Sequence, residues 1–388
     1  MKVLVFTNLW PSSVARGHGS FVQERVLRLQ QRLGFDLEVV HPLPLYPRLL
    51  GRSLAAPQSR LPDSDVADGL RVHYPRYFHV PRFGVGRQAL RMQRGCREVV
   101  DEVMRRFEPD LVDAHYLYPD ACAAIELGAV HGKPVLATAR GSDVNVLGEV
   151  EAVRAQFRVT LRRARRVMAV SQALARRLET VADLEPGSVL TMRNGVDLER
   201  FRVGTTSPEL RVVCVARLAP IKGIATLIRA MAHVRDEAHL DLIGGGGEEK
   251  DFRALVAELG LTARVRVLGE LGRDEVAREL LGGGVFALAS RNEGWPNALM
   301  EALASGCFAV VSKVGGMPEV LGGPDVGAGV AIDPAADAAT WGRALDAALE
   351  RLAVEGRGAG ASARARAEAL SWDATLDSLA AVFEEATT

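Results

Sequence analysis

The chain has 388 residues, 48% hydrophobic and 25% charged, with 48 basic side chains balancing 48 acidic ones. This is the composition of a globular protein of about two domains, and it excludes a low-complexity or disordered chain. No apolar run approaches the ~20 residues of a membrane span, so an integral helical membrane protein is excluded as well. The start, from Lys2 into a short apolar strand, lacks the pattern of a signal peptide. Cys96, Cys122, Cys214 and Cys307 have neither metal-ligand nor disulfide-framework spacing, so buried thiols in a reducing cytoplasm are expected. The charge is unevenly spread. Residues 1–198 carry 28 Lys and Arg against 21 Asp and Glu, and residues 199–388 carry 20 against 27. Residues 71–106 hold nine arginines against three acids. An anionic partner for the first half is one reading. A solvated face in an arginine-rich chain is the other, since only five of the basic residues are lysine.

In chain order, residues 2–7 read as a strand, 21–33 as an amphipathic helix closed by Gly34, and 37–41 as the next strand. Residues 111–114, 134–138 and 167–170 are further short strands separated by helical pattern. Such alternation implies a parallel sheet with crossover helices. The pair Asn194-Gly195 marks a turn, and the polar residues 200–208 read as a linker. A second series follows, with strand 210–216, helix 224–234 and strands 240–243, 265–268, 285–289 and 308–312. Helical pattern over 341–369, resuming after Trp372, closes the chain. The expected fold class is α/β, with two Rossmann-like doubly wound domains, 1–198 and 199–370, facing each other across a cleft. A final helix, 371–388, is expected to cross back to the first domain. Ligands of open α/β sheets sit beyond the carboxyl ends of the strands, so candidate site residues should follow strands.

The most informative segment is Ser290 to Glu301, SRNEGWPNALME. Pro296 suits the first position of a helix that continues through Ser305 and stops at Gly306. Glu293 then lies in the loop before that helix, and Glu301 lies one to two turns inside it. The amides of Gly294, Trp295 and Asn297 lie between the two carboxylates, at a helix start that suits an anion. A phosphate cradle flanked by hydroxyl-binding carboxylates suits a sugar joined to a nucleotide through a diphosphate. Arg217 and Lys222, five residues apart on a strand-to-helix turn, can clamp a diphosphate. Gly244 to Gly247 follow another strand and let a ligand approach the backbone. Gly315-Gly316, before Met317-Pro318-Glu319, offer a further anion nest.

Together and in this order, these segments resemble the retaining glycosyltransferases of family 4, which have the two-domain GT-B fold. The resemblance spans nearly the whole chain. It also takes in the Gly17-x-Gly19 loop, Ala169-Val170-Ser171 and Arg193-Asn194-Gly195-Val196-Asp197. It implies that the first domain binds the acceptor and the second the nucleotide sugar, with a UDP- or GDP-sugar as donor, no cofactor and no metal. Arg217 and Lys222 would stabilise the leaving diphosphate. Glu293 would hold donor-sugar hydroxyls, and Glu301 the ribose. Gly294 to Asn297 and Gly315 to Met317 would present amides. Gly17, Gly19 and Gly245 would allow close approach, and Leu268 and Gly269 would lie near the base. Transfer would retain the anomeric configuration without a carboxylate nucleophile. The acceptor hydroxyl would attack on the face the nucleotide leaves, and a phosphate oxygen would take its proton. Domain closure, with hinges at 194–208 and at Ser371-Trp372, would accompany donor binding.

One departure concerns the segment Thr138-Ala139-Arg140-Gly141-Ser142-Asp143, where Arg140 stands at a place the family often gives to histidine. Arginine does not act as a base at neutral pH. Arg140 and Asp143 become acceptor-side candidates for a phosphate or an acidic sugar. His115, after a strand, is a catalytic candidate facing the same cleft, or else a structural histidine. Phe308, where the family usually has proline, reads as packing. Arg87, Arg91 and Arg94 share a helical face. With Tyr74, Tyr77, Phe78 and Phe83 nearby, they offer a surface for a lipid-linked sugar at a membrane, or a solvated face. The run 161–166 carries the same two readings. Other expectations are a carbohydrate or lipid-linked acceptor, a role in polysaccharide, lipopolysaccharide or glycolipid assembly, and no nucleic-acid partner. A sugar-nucleotide epimerase or hydrolase on the same fold is the alternative, followed by a non-catalytic binding protein. A nicotinamide enzyme is disfavoured, because the first strand leads into Thr7-Asn8-Leu9-Trp10-Pro11 rather than a glycine fingerprint.

Overall fold

A computed structural model of the chain describes residues 1–15, 17–46, 60–80, 84–205 and 210–388. Phe83 and residues 206–208 of the expected linker lie outside the described residues. The chain divides into two compact units, one of residues 1–193 with 375–388, the other of residues 194–374.

The first unit contains β1 (Lys2–Phe6), β2 (Asp36–Val40), β3 (Leu43–Leu45), β4 (Ser64–Ala67), β5 (Leu70–His73), β6 (Arg76–Phe78), β7 (Leu111–His115), β8 (Val135–Ala139), β9 (Arg166–Ala169) and β10 (Leu190–Thr191). Its main sheet runs β10-β9-β8-β7-β1-β2-β5-β4. The central strands β1, β7 and β8 are almost wholly buried, as expected of parallel strands covered on both faces. The sheet is not entirely parallel, because β4 pairs antiparallel with β5. Asp68 and Gly69 connect them with φ of 53° and 77°. An Asp-Gly pair with both residues left-handed is a favoured two-residue hairpin turn. Strands β3 and β6 form a separate parallel pair. The C-terminal residues join this unit through the Phe35–Phe383 ring contact, 5.7 Å between centroids, and the Arg166–Glu385 ion pair.

The second unit contains β11 (Arg211–Val215), β12 (His239–Ile243), β13 (Val265–Gly269), β14 (Val285–Leu288), β15 (Phe308–Ser312) and β16 (Gly329–Ile332). The order β13-β12-β11-β14-β15-β16, parallel throughout, is that of a dinucleotide-binding sheet. The order reverses between β11 and β14, so the loops after those two strands flank a topological switch point. The expected helix over 341–369 is broken into Ala338–Glu355, a 3₁₀ turn at Gly356–Gly360 and Ala361–Glu368. Gly356 takes φ 54° at the break, and three glycines in five residues leave little helical propensity there. The four cysteines are buried and unpaired. No described helix is long and apolar enough to cross a membrane.

Candidate active site

In the second unit, the loops after β11, β12, β13, β14 and β15 are tied together through their backbones. Ala216 N–H donates to the Ile243 carbonyl, Leu218 N–H to Gly245 at 2.9 Å, and Gly244 N–H to Gly269 at 2.7 Å. Arg291 N–H donates to Ile221 at 2.8 Å. This interlocking explains the glycines. A Cβ at Gly244 would collide with the Ala216 carbonyl oxygen, one at Gly223 with that of Ala289, and one at Gly315 with that of Glu293.

Into this frame the sequence places its charged candidates. Lys222 ends a short 3₁₀ turn, and its Nζ lies 2.5 Å from Glu293 Oε1. The two side chains remain 22% and 10% exposed, within reach of a ligand. Ser290, fully buried, donates its hydroxyl to the same oxygen at 2.7 Å. Arg217 is exposed on the loop after β11. Glu301 lies on the helix Asn297–Ala304, 3.4 Å from the guanidinium of Arg273. Pro296 is not the first residue of that helix. It occupies the cap position with ψ 88°, and Asn297 begins the helix. Among the described residues, the amides of Gly294, Gly315 and Gly316 have no hydrogen-bond partner. Leu268 and Gly269, at the end of β13, and Gly245 are half-buried.

The side chain of Trp295 is engaged within the protein. Its ring is buried, and its Nε1–H points at the Asn194 carbonyl (3.2 Å) and Met300 Sδ (3.0 Å), so only its backbone can serve a ligand. Asn297 Oδ1 accepts from Asn194 Nδ2 at 3.1 Å, so both residues tether the loop to Asn194.

The first unit gathers its charges at the carboxyl ends of β1, β7 and β8. The sequence leaves His115 open between a cleft-facing catalytic group and a structural histidine. It is the last residue of β7 and is fully buried. Its Nε2 lies 3.1 Å from Asp113, and its Nδ1 lies 2.7 Å from an Arg140 NH2, from which it accepts. The ring proton therefore sits on Nε2. Burial, with Arg140 and Arg25 beside it, outweighs Asp113 and drives His115 down to about 3. A buried neutral imidazole that accepts from Arg140 at Nδ1 and keeps Nε2 near the Asp113 carboxylate favours the structural reading of His115. Asp113 feels burial as an upward push, but His115, Arg25 and Arg140 overturn it and hold the carboxyl at about 2. Arg25 is buried on the helix Ser20–Leu33, 3.6 Å from Asp113. Arg140 is brought down to about 9, first by burial and then by Arg25, and its guanidinium lies 5.4 Å from the Phe21 ring centroid. Asp143 does not face outward. It is fully buried and accepts from the amides of Leu117, Arg140, Gly141 and Val144. Asp120 accepts from the Asn8 amide, and burial pushes it well above the usual carboxylate range. Gly17 is exposed. Gly19, with φ 71°, caps the helix Ser20–Leu33 where a Cβ would strike the Leu9 carbonyl.

On the surface, Arg87 and Arg94 are exposed, and Arg91 lies 6.0 Å from the centroid of the exposed Phe78 ring. Arg87 ends a 3₁₀ turn just before the helix Gln88–Phe107, so it does not share a regular face with the other two. Tyr74 and Tyr77 are buried and offer no surface. In the run 161–166, Arg162, Arg163 and Arg166 pair with Asp183, Glu126 and Glu385, which is the solvated-face reading. Among the described residues, no cluster of His, Cys, Asp and Glu could hold a metal ion.

Sequence reasoning missed Ser290, Arg273, Arg25 and Asp113 as members of these clusters. Two signals were available. Arg25 interrupts the apolar face of its helix, and Asp113 shares one strand face with His115 by the period of two.

The carboxyl ends of these strands lead into the segments that carry Arg217, Lys222, Glu293 and Glu301. Two doubly wound units in one chain are the architecture of the glycosyltransferases of the GT-B fold. Comparison with known proteins agrees. The model for glycosyl transferases group 1 matches residues 196–354, and that for glycosyltransferase family 4 matches residues 16–200. TuaC of Bacillus subtilis (strain 168), a glycosyltransferase named for teichuronic acid biosynthesis, is 30% identical over 345 residues, 83% of each chain. Among solved structures, sucrose-phosphate synthase from Thermosynechococcus elongatus has a TM-score of 0.79 at 19% identity, over 99% of this chain and 98% of that one. Anabaena HepE in complex with UDP has a TM-score of 0.72 at 18% identity, over 99% and 100%. The chain belongs to glycosyltransferase family 4, and it is a nucleotide-sugar glycosyltransferase of that retaining family.

Proposed function

We propose that the unit of residues 194–374 binds a nucleotide-diphosphate sugar, UDP-linked in the first instance, and that the unit of residues 1–193 receives the acceptor. The observation that carries this reading is the contact of Lys222 with Glu293 where the strand-end loops meet. One group is a cation for a leaving diphosphate, the other an acceptor for sugar hydroxyls, and the sugar nucleotide bridges them. Arg217 supplies the second cation, Glu301 takes the ribose, and the amides of Gly294, Gly315 and Gly316 face the phosphates. The base lies toward Leu268 and Gly269. The UDP held by HepE supports UDP as the first donor to try. GDP is the next.

Charge develops on the departing diphosphate, and preorganised cations and amides meet it there. His115 is buried and neutral, so the acceptor proton passes to a phosphate oxygen rather than to this side chain. The acceptor is a carbohydrate or lipid-linked sugar in polysaccharide, lipopolysaccharide or glycolipid assembly, consistent with the naming of TuaC. Exposed Phe78, Leu45 and Leu90, with Arg87, Arg91 and Arg94, support peripheral contact with a membrane on the cytoplasmic side. No cofactor or metal enters this scheme.

The test is a thermal-shift panel of UDP-, GDP- and ADP-sugars on the wild type and on Glu293→Ala. A ligand at ~100 times its Kd stabilises by roughly 2.7 kcal/mol. One nucleotide series should shift the wild type, and its sugar-dependent part should disappear in the variant. No shift with any series would overturn the donor site.

A further inference from the structure

The loop that carries Glu293 starts from β14, and its second residue, Ser290, is fully buried. A buried hydroxyl is costly unless it is hydrogen-bonded, and Ser290 spends its donor on Glu293 Oε1 at 2.7 Å. Lys222 reaches that same oxygen at 2.5 Å. Both contacts therefore fall on Oε1, and Oε2 carries neither. The terminal torsion of a glutamate is broad, so the carboxylate plane is not set by the rotamer. Two donors converging on one oxygen do set it. The backbone of the loop is fixed too, through Arg291 N–H to Ile221 and through Gly315 packed against the Glu293 carbonyl.

We infer that Ser290 is a positioning residue for donor-sugar recognition: its hydroxyl, together with Lys222, holds Oε1 of Glu293 so that Oε2 is presented to a hydroxyl of the sugar. The inference rests on the reading of Glu293 as the sugar-binding carboxylate. The two donors differ in what their removal does. Lys222 also serves the diphosphate, so its loss weakens every nucleotide ligand. Among the described residues the Ser290 hydroxyl donates to this carboxylate, so its loss should be felt by the sugar alone. A site that must be held within about half an ångström depends on such supporting contacts.

The experiment measures Kd by titration calorimetry for a nucleoside diphosphate and for the matching nucleotide sugar, beginning with UDP and UDP-glucose and then GDP and GDP-mannose. Wild-type binding to neither series is a failure of the proposed function, not of this inference. With a series established, Ser290→Ala should leave the diphosphate Kd within twofold. It should weaken the sugar nucleotide about tenfold, the scale of a hydrogen bond to a charged group. The same substitution in a Glu293→Ala background should then change neither Kd, because Ser290 acts through the carboxylate. Equal weakening of both ligands by Ser290→Ala would overturn the inference. So would an effect of Ser290→Ala that persists undiminished without Glu293.

Discussion

At the scale of single residues, the proposed chemistry concentrates on Lys222, Arg217 and the carboxylate Glu293. Lys222 contacts Glu293 and is proposed to contact the diphosphate, so it ties the two halves of a sugar nucleotide together. Lys222→Ala is expected to lower kcat/KM by roughly 10²–10³, the cost of removing one preorganised donor to developing charge. Arg217→Lys should also lose activity, because a planar fork and a point charge do not hold phosphate oxygens alike. Initial rates of sugar release from the donor read both, and wild-type rates in either variant would remove that residue from the leaving-group site. The His115 reading shows where residue-level inference from sequence stops. A histidine at a strand end was legible, but its charged surroundings were not, because they include Arg25, a residue 90 positions earlier that the fold brings within 3.6 Å of Asp113.

At the scale of elements, the strands and their order of appearance were legible from alternation and apolar runs, and the candidate loops do follow strands. What was not legible were the short edge elements. The strands β3, β4, β5, β6, β10 and β16 are two to four residues long, and pairing with a neighbour defines them more than internal pattern does. The Asp68-Gly69 turn was the one strong signal for β4 and β5. The loops of the proposed donor site are rigid in a way that glycine makes testable. Gly315 sits at φ 51°, against the Glu293 carbonyl oxygen, whereas Gly247 has nothing within 4 Å of a built Cβ. Gly315→Ala must therefore move one loop or the other, at a cost of about 1–3 kcal/mol in a strained backbone position. Its melting temperature should fall, and its thermal shift with the donor should be lost. Gly247→Ala should retain both within error. Equal behaviour of the two variants would show that the glycines are not there for close approach.

At the scale of the molecule, the balance of +7 in residues 1–198 against −7 in residues 199–388 reads differently once the fold is known. Several basic groups of the first half are consumed in ion pairs, and two, Arg25 and Arg140, lie in a buried network with Asp113 and the neutral His115, while a second neutral histidine, His41, is buried elsewhere in the same unit. His41 is buried with its Nδ1 2.9 Å from the Thr7 carbonyl, and burial brings it down to about 4; His115 comes down to about 3. A histidine that is neutral when folded and ordinary when unfolded binds more protons in the unfolded state between those values and about 6.5. Stability from this source is present above pH 6.5 and is lost as pH falls toward 4. Asp120 and Asp143, both raised by burial, work in the opposite direction, because the folded state binds their protons more tightly. The histidine effect is therefore read as a difference. Between pH 7.5 and pH 5, the wild type should lose roughly 2 kcal/mol more than His41→Asn, the linkage value for a shift from 6.5 to about 4. Urea unfolding of both proteins at pH 7.5, 6 and 5, followed by the transition of the unit that contains His41, measures it. Parallel slopes would mean that His41 is already charged in the folded state, and the picture of a dry, neutral imidazole held against the Thr7 carbonyl would fail.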